Sequence, residues 1–134
     1  MIVVDTNVIS YLFIPGPLTS LAEQALRKDQ WCAPLLWRSE FRNVLALYFR
    51  RNALGLPDAR RLMEAAERLF CGREFAVPSS MVLDCIDESR RSAYDCEFVA
   101  LALDLGITLV SADASLVDEF PNTAVHLRTY IRGR

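Results

Sequence analysis

Four carboxylates in this chain are hard to explain, as a set, by ordinary structural roles. Asp5 follows the apolar run Ile2–Val4 with no spacer, and Asp113 holds the matching place in LVSAD, after the run ITLV. Either one alone reads as the cap of a following helix. Glu40 lies in WRSEFRNVL, where helical spacing puts it on one face with Leu36, Val44 and Leu47. A carboxylate on an apolar face needs a partner or a shifted pKa. Arg38 and Arg42 sit two residues to either side, so they project about 160° away and neutralise it poorly. Arg51 shares the face but lies about three turns along. Asp95 opens a helix whose matching face carries Phe98, Val99 and Ala102. The helix dipole favours an acid there, yet its apolar neighbours imply that it points inward.

Asp5, Glu40, Asp95 and Asp113 come from four separate elements, with no lysine or histidine near them in sequence. Carboxylates brought together repel and raise one another's pKa. A hard divalent cation resolves the conflict: Mg²⁺ or Mn²⁺ takes oxygen ligands at about 2.0–2.1 Å and keeps several waters. Such a site suits metal-assisted phosphodiester cleavage. Asp118 is a fifth candidate ligand, equally readable as a solvent-facing charge beside Glu119. Arg90 and Arg91 just precede the Asp95 helix. They are expected at the rim of the acidic pocket, holding substrate phosphates; as helix-end charges they would equally favour the dipole of the preceding helix.

The elements that must position these acids alternate along the chain. Strands are predicted at Ile2–Val4, Trp31–Ala33, Glu74–Val77, Ile107–Val110 and Ala124–Leu127. Helices are predicted at Asn7–Phe13, Thr19–Lys28, Leu36–Asn52, Asp58–Cys71, Ser79 to about Arg90, Tyr94–Leu105 and Ser115–Phe120. Pro15-Gly16-Pro17, Gly72 and Gly106 serve as stops. Thr19 or Ser20, and Ser79 or Ser80, are the expected caps of their helices. Alternation of this kind implies an α/β fold with a parallel sheet of four to five strands and helices on both faces. Ligands in such sheets bind at the carboxyl ends of strands, where Asp5 and Asp113 stand.

The 134 residues are read as a single domain, 1–134, large enough to bury a core. Net charge is −2, which is not the global signature of a nucleic-acid binder. Fourteen of the fifteen bases are arginine, however, and arginine forks suit phosphate. The longest apolar run, Phe98–Leu103, has six residues, far short of the roughly 20 of a membrane span. With no signal peptide visible, the expected location is the cytoplasm. Cys32, Cys71, Cys85 and Cys96 form no C-x-x-C pair, and His126 is the only histidine, so a structural zinc site is not expected. Trp31 and Trp37 read more readily as core or dimer contacts than as base-stacking platforms.

IVVDTNVISYLF, WRSEFRNVL and YDCEFVALALDLGITLVSADASLV resemble the PIN-domain family, and within it the VapC-type toxins of toxin–antitoxin modules. The resemblance spans nearly the whole chain and is most specific in the last block. It implies a PIN-like three-layer fold and a Mg²⁺- or Mn²⁺-dependent endoribonuclease. By match, Asp5, Glu40, Asp95 and Asp113 fall on the family's acidic quartet. Asn7 and Ser111 fall on its supporting polar positions, and Asp118 matches a variable acid only loosely. The resemblance also implies a homodimer silenced by a small antitoxin, whose tail often places a basic residue in the acidic site. Two rivals share the fold: a housekeeping PIN nuclease that processes RNA without an antitoxin, and a catalytically silent PIN-like binding module, against which the intact quartet argues. A haloacid-dehalogenase-type phosphatase would need a second acid where Asn7 stands.

Overall fold

The computed structural model describes residues 1–133. Five strands are present: β1 (Ile2–Val4), β2 (Trp31–Pro34), β3 (Glu74–Phe75), β4 (Leu109–Ser111) and β5 (Ala124–His126). They form one parallel sheet in the order β3-β2-β1-β4-β5. The helices are α1 (Thr6–Phe13), α2 (Thr19–Lys28), α3 (Trp37–Arg50), α4 (Leu56–Leu69), α5 (Ser79–Asp87), α6 (Ala93–Leu105), α7 (Ala114–Glu119) and α8 (Leu127–Ile131). The chain runs from β1 outward to β2 and β3, then returns to place β4 on the other side of β1. The order therefore reverses between β1 and β4, and the crevice at the carboxyl ends of these two strands is where such folds bind ligands.

Every residue of β1, β2 and β4 is buried. Both faces of the sheet centre are thus covered, as the apolar runs demand. Helix α6 lies across β1, β2 and β4, with α5 packed against it. Helix α1 touches β4 and gathers α2, α3 and α4, while α8 packs on α2. Trp37, Phe41, Leu45, Trp31 and Phe70 are core residues, and the rings of Trp37 and Phe70 lie 4.8 Å apart. Among the four free cysteines only Cys71 is exposed.

Helix ends follow the local chemistry unevenly. Gly106 takes φ 66° and closes α6 in the left-handed region. The bonds Ile107 N–H to Ala102 O (3.0 Å) and Gly106 N–H to Leu103 O (3.3 Å) complete a Schellman motif. The caps expected at Thr19 or Ser20 and at Ser79 or Ser80 are not formed. Leu18 and Pro78 hold those positions without a side-chain bond, and Thr19 Oγ1 instead accepts from Gly16 N–H at 3.0 Å. The hydroxyl serves the Pro-Gly-Pro turn, also donating to Ile14 O at 3.4 Å. Helix α4 starts two residues before the predicted Asp58, with Pro57 inside its first turn, where the missing N–H costs nothing. Helix α8 was not anticipated. It starts because His126 Nδ1 accepts from Arg128 N–H at 3.2 Å, and Lys28 Nζ holds it by donating to Tyr130 O.

Candidate active site

A cleft of about 450 Å³ opens at the carboxyl edge of the sheet, and Asp5, Glu40, Asp95 and Asp113 all line it. Each arrives from a different element. Asp5 is the residue after β1 and the cap of α1; Val8 N–H donates to its Oδ1 at 3.0 Å. Its Oδ2 accepts from Ser111 Oγ at 2.5 Å and from Ala112 N–H at 3.1 Å. Ser111 is fully buried, and its hydroxyl also accepts from Asp113 N–H at 3.0 Å. One serine therefore ties the ends of β1 and β4 together. Asp113 caps α7, its Oδ1 accepting from Ser115 and Leu116. Capping and site roles are not alternatives for either aspartate; the cap fixes the carboxylate at the strand end.

Glu40 is half-buried in the first turn of α3, and Thr6 Oγ1 donates to its Oε1 at 2.6 Å. Thr6 is a site residue that sequence reasoning missed, although its place beside Asp5 at the mouth of β1 was the available signal. The α3 face also differs from expectation. Its buried stripe is Trp37, Phe41 and Leu45, while Leu36, Glu40 and Val44 line the cleft and Leu47 is exposed. The stripe lies one residue on because Trp37 pins the rotation: its ring packs on Phe70, and its Nε1–H donates to Glu74 Oε2 at 2.6 Å. Arg38 joins Glu74 and Glu67 at 2.6 and 2.8 Å, so it leaves Glu40 unneutralised.

The electrostatics divide the cleft. Burial pushes the Asp5 carboxyl above its ordinary 3.8, against the hydrogen bonds from Ser111, Val8 and Ala112. Burial likewise raises Glu40 above 4.5; the Thr6 bond opposes this, and the charges of Asp95, Asp5 and Glu97 add to it. On the other side, burial works against the Asp113 carboxylate, but bonds from Ser115, Leu116 and Arg91 hold it below 3.8. Arg91 Nη2 pairs with Asp113 Oδ2 and stands 3.1 Å from Asp95 Oδ2.

That contact separates the two arginines expected at the rim of the pocket. Arg90 is exposed, whereas the Arg91 side chain, one turn before Asp95, is only 17% exposed and turns inward onto the acids. Asp118 is exposed on α7 and does not line the cleft; its neighbour Glu119 is the acid that approaches Arg91, at 3.8 Å. Asn7 is exposed and lines the cleft, with Ser39, Asn43 and Tyr94 as further polar lining that the sequence did not single out.

The donor set is all oxygen and suits a hard divalent cation, and the raised Asp5 and Glu40 carboxyls are those a cation would relieve. Among the described residues, no three such side chains are already gathered as a ligand set. Both Asp113 oxygens are engaged, one by α7 and one by Arg91.

Glu40→Gln provides a first test. A folded-state pKa above the ordinary value makes the ionised form a cost to the fold at neutral pH, and that cost disappears as pH falls through the folded pKa. In chelator, the variant is therefore expected to melt at or above the wild-type temperature at pH 7.5. Its advantage should shrink as pH drops toward 4.5, the ordinary glutamate value. Added Mn²⁺ should stabilise it less than wild type. A metal-free melt several degrees below wild type would make Glu40 a structural partner of Thr6 instead.

The PIN domain family profile matches residues 2–119 of the chain. Ribonuclease VapC9 of Mycobacterium tuberculosis is 35% identical over 121 residues, covering 88% of this chain and 90% of that protein. Among solved structures, FitAcB of Neisseria gonorrhoeae superposes with a TM-score of 0.76 at 20% identity, covering 96% of this chain and 99% of that one. A toxin–antitoxin complex from Klebsiella pneumoniae gives 0.71 at 17% identity, covering 95% and 98%.

Proposed function

The chain belongs to the PIN domain family, and on that premise we propose that it is a Mg²⁺- or Mn²⁺-dependent endoribonuclease, the toxin of a toxin–antitoxin module. The observation that carries this reading is the gathering of Asp5, Glu40, Asp95 and Asp113, from four elements, around one cleft at the point where the strand order reverses. The name ribonuclease borne by the 35%-identical relative supports the reaction class. The VapC name it also bears favours the toxin over a housekeeping RNA-processing enzyme.

Asp5, Asp95, Asp113 and Glu40 would hold the cation. Mg²⁺ or Mn²⁺, when bound, supplies water activation and neutralises charge on the departing oxygen. The chain itself does the positioning. Ser111 and Ala112 fix the Asp5 carboxylate, and Thr6 orients Glu40. Asn7, Ser39 and Asn43 offer neutral polar groups to the RNA backbone along the cleft wall. The acidic cleft also suits a basic side chain from an antitoxin, and the active form in this reading is a homodimer working in the cytoplasm. Among the described residues, no helix is long and apolar enough to cross a membrane.

Expression of the chain without an antitoxin, followed by mapping of new RNA 5′ ends, tests the reading. Purified protein should generate the same ends with Mn²⁺ and none in chelator. Cleavage undiminished by chelator would remove the metal; no new ends in either setting would remove the nuclease.

Arg90 is exposed, lies five residues before Asp95, and is proposed as a phosphate contact. Arg90→Ala should weaken RNA binding uniformly across sequences and flatten the log–log salt slope by about one unit. The titration belongs on a catalytically dead, metal-free background. An unchanged slope would leave Arg90 as surface charge.

A further inference from the structure

Arg91 is held too firmly to be a stray surface base. Its backbone N–H donates to Ser89 Oγ at 3.2 Å, and the neighbouring Arg90 N–H donates to Glu119 Oε1 at 2.9 Å. The first bond closes the turn between α5 and α6, and the second ties that turn to α7. The guanidinium then spreads over three acids and a hydroxyl. Nη2 serves both Asp95 Oδ2 and Asp113 Oδ2, and Nη1 donates to Ser115 Oγ at 2.7 Å. Nε stands 3.8 Å from Glu119 Oε2 and has no hydrogen-bond partner among the described residues. Arg91 is not among the residues lining the cleft, so it meets the two aspartates from outside it.

We propose that Arg91 is a positioning residue: an internal counter-ion that holds Asp95 and Asp113 together and that an entering divalent cation must displace from them. This rests on the reading of the acidic cleft as a cation site. One positive charge shared by two carboxylates offsets the repulsion that would otherwise splay α6 from α7. The same pairing occupies Oδ2 of both acids, while α7 already occupies Oδ1 of Asp113. A ligand that binds only the released arrangement sees its apparent affinity reduced by the released fraction. A pair closed about nine-tenths of the time therefore weakens apparent cation affinity about tenfold.

The test is a Mn²⁺ titration followed by the electron paramagnetic resonance of free Mn²⁺, alongside thermal melts in chelator. Arg91→Gln is expected to bind Mn²⁺ about tenfold more tightly and to melt a few degrees lower without metal. Arg91→Lys keeps the charge but loses the fork that spans two carboxylates, so it should fall between, and it carries the test if the glutamine variant does not fold. Arg90→Gln removes the same charge one residue away from an exposed site and should change Mn²⁺ affinity by less than about twofold, as expected for screened surface charge. Wild-type binding left unchanged or weakened by Arg91→Gln would overturn the proposal and leave the cation site standing. So would equal tightening by Arg90→Gln, which would show a general charge effect. Failure of wild type and Arg91 variants alike to bind Mn²⁺ would overturn both.

Discussion

Asp5→Asn and Asp95→Asn are each expected to lower RNA cleavage by roughly 10³-fold or more, the scale of about 4 kcal/mol of lost transition-state stabilisation, while the fold survives. For Asp5 the local accounting is specific. An asparagine oxygen can still cap α1 through Val8 N–H, but its amide then faces two donors, Ser111 Oγ and Ala112 N–H. Ser111 can rotate and accept; the Ala112 N–H cannot. A lost buried hydrogen bond costs about 1–2 kcal/mol, and this is offset because a charge that burial disfavours is no longer placed there. The Asp95 side chain is 41% exposed, so its share of the Arg91 pair is discounted for solvent screening, and its loss should change stability by under about 1 kcal/mol. Cleavage of total RNA and circular-dichroism melts, run on the same preparations, read the two effects separately. Wild-type cleavage in both variants would remove these carboxylates from the catalytic site.

Trp37→Ala should have the largest effect on stability. The ring is fully buried, 4.8 Å from Phe70 and 6.1 Å from Phe41. It opens α3, three residues before Glu40, and its Nε1–H bonds the Glu74 that also receives Arg38. Truncating such a side chain costs about 3–5 kcal/mol, against a total stability of order 5–15 kcal/mol. The expected fall in melting temperature is roughly 10–20 °C at this chain length. Trp37→Phe separates the two contributions. It retains one six-membered ring but loses the indole donor and part of the packed volume, and Glu74 keeps its Arg38 partner, so an intermediate loss of about 1–3 kcal/mol is expected. Urea melts give both numbers. An alanine variant within 1 kcal/mol of wild type would mean that Trp37 does not anchor α3.

The sequence by itself determined the order of elements, the parallel sheet and the acids worth naming. Those signals are local. Ile2–Val4 followed by Asp5 states where a strand ends and a helix is capped, and Gly106 states where α6 must stop; neither depends on distant residues. What failed locally failed for want of a competitor in view. Thr19 serves the preceding turn, through Gly16 N–H, instead of capping the helix, and α8 depends on a histidine cap that no periodicity announces.

The tertiary structure alone decided how the site is balanced. Helical spacing offered Leu36, Glu40 and Val44 as a buried face, but with Trp37 packed against Phe70, 33 residues away in the chain, that face lines the cleft. Thr6 reaches Glu40 across 34 residues, Ser111 reaches Asp5 across 106, and Arg91 reaches Asp113 across 22. Spacing along one element predicts which side chains share a face. It cannot predict which charges meet between elements, because that depends on how the elements pack, and at a distance of a few ångströms one guanidinium offsets much of a carboxylate's repulsion. Arg91 was legible in the sequence as a base beside an acidic helix. Only the assembled fold turned it inward, onto two of the four acids.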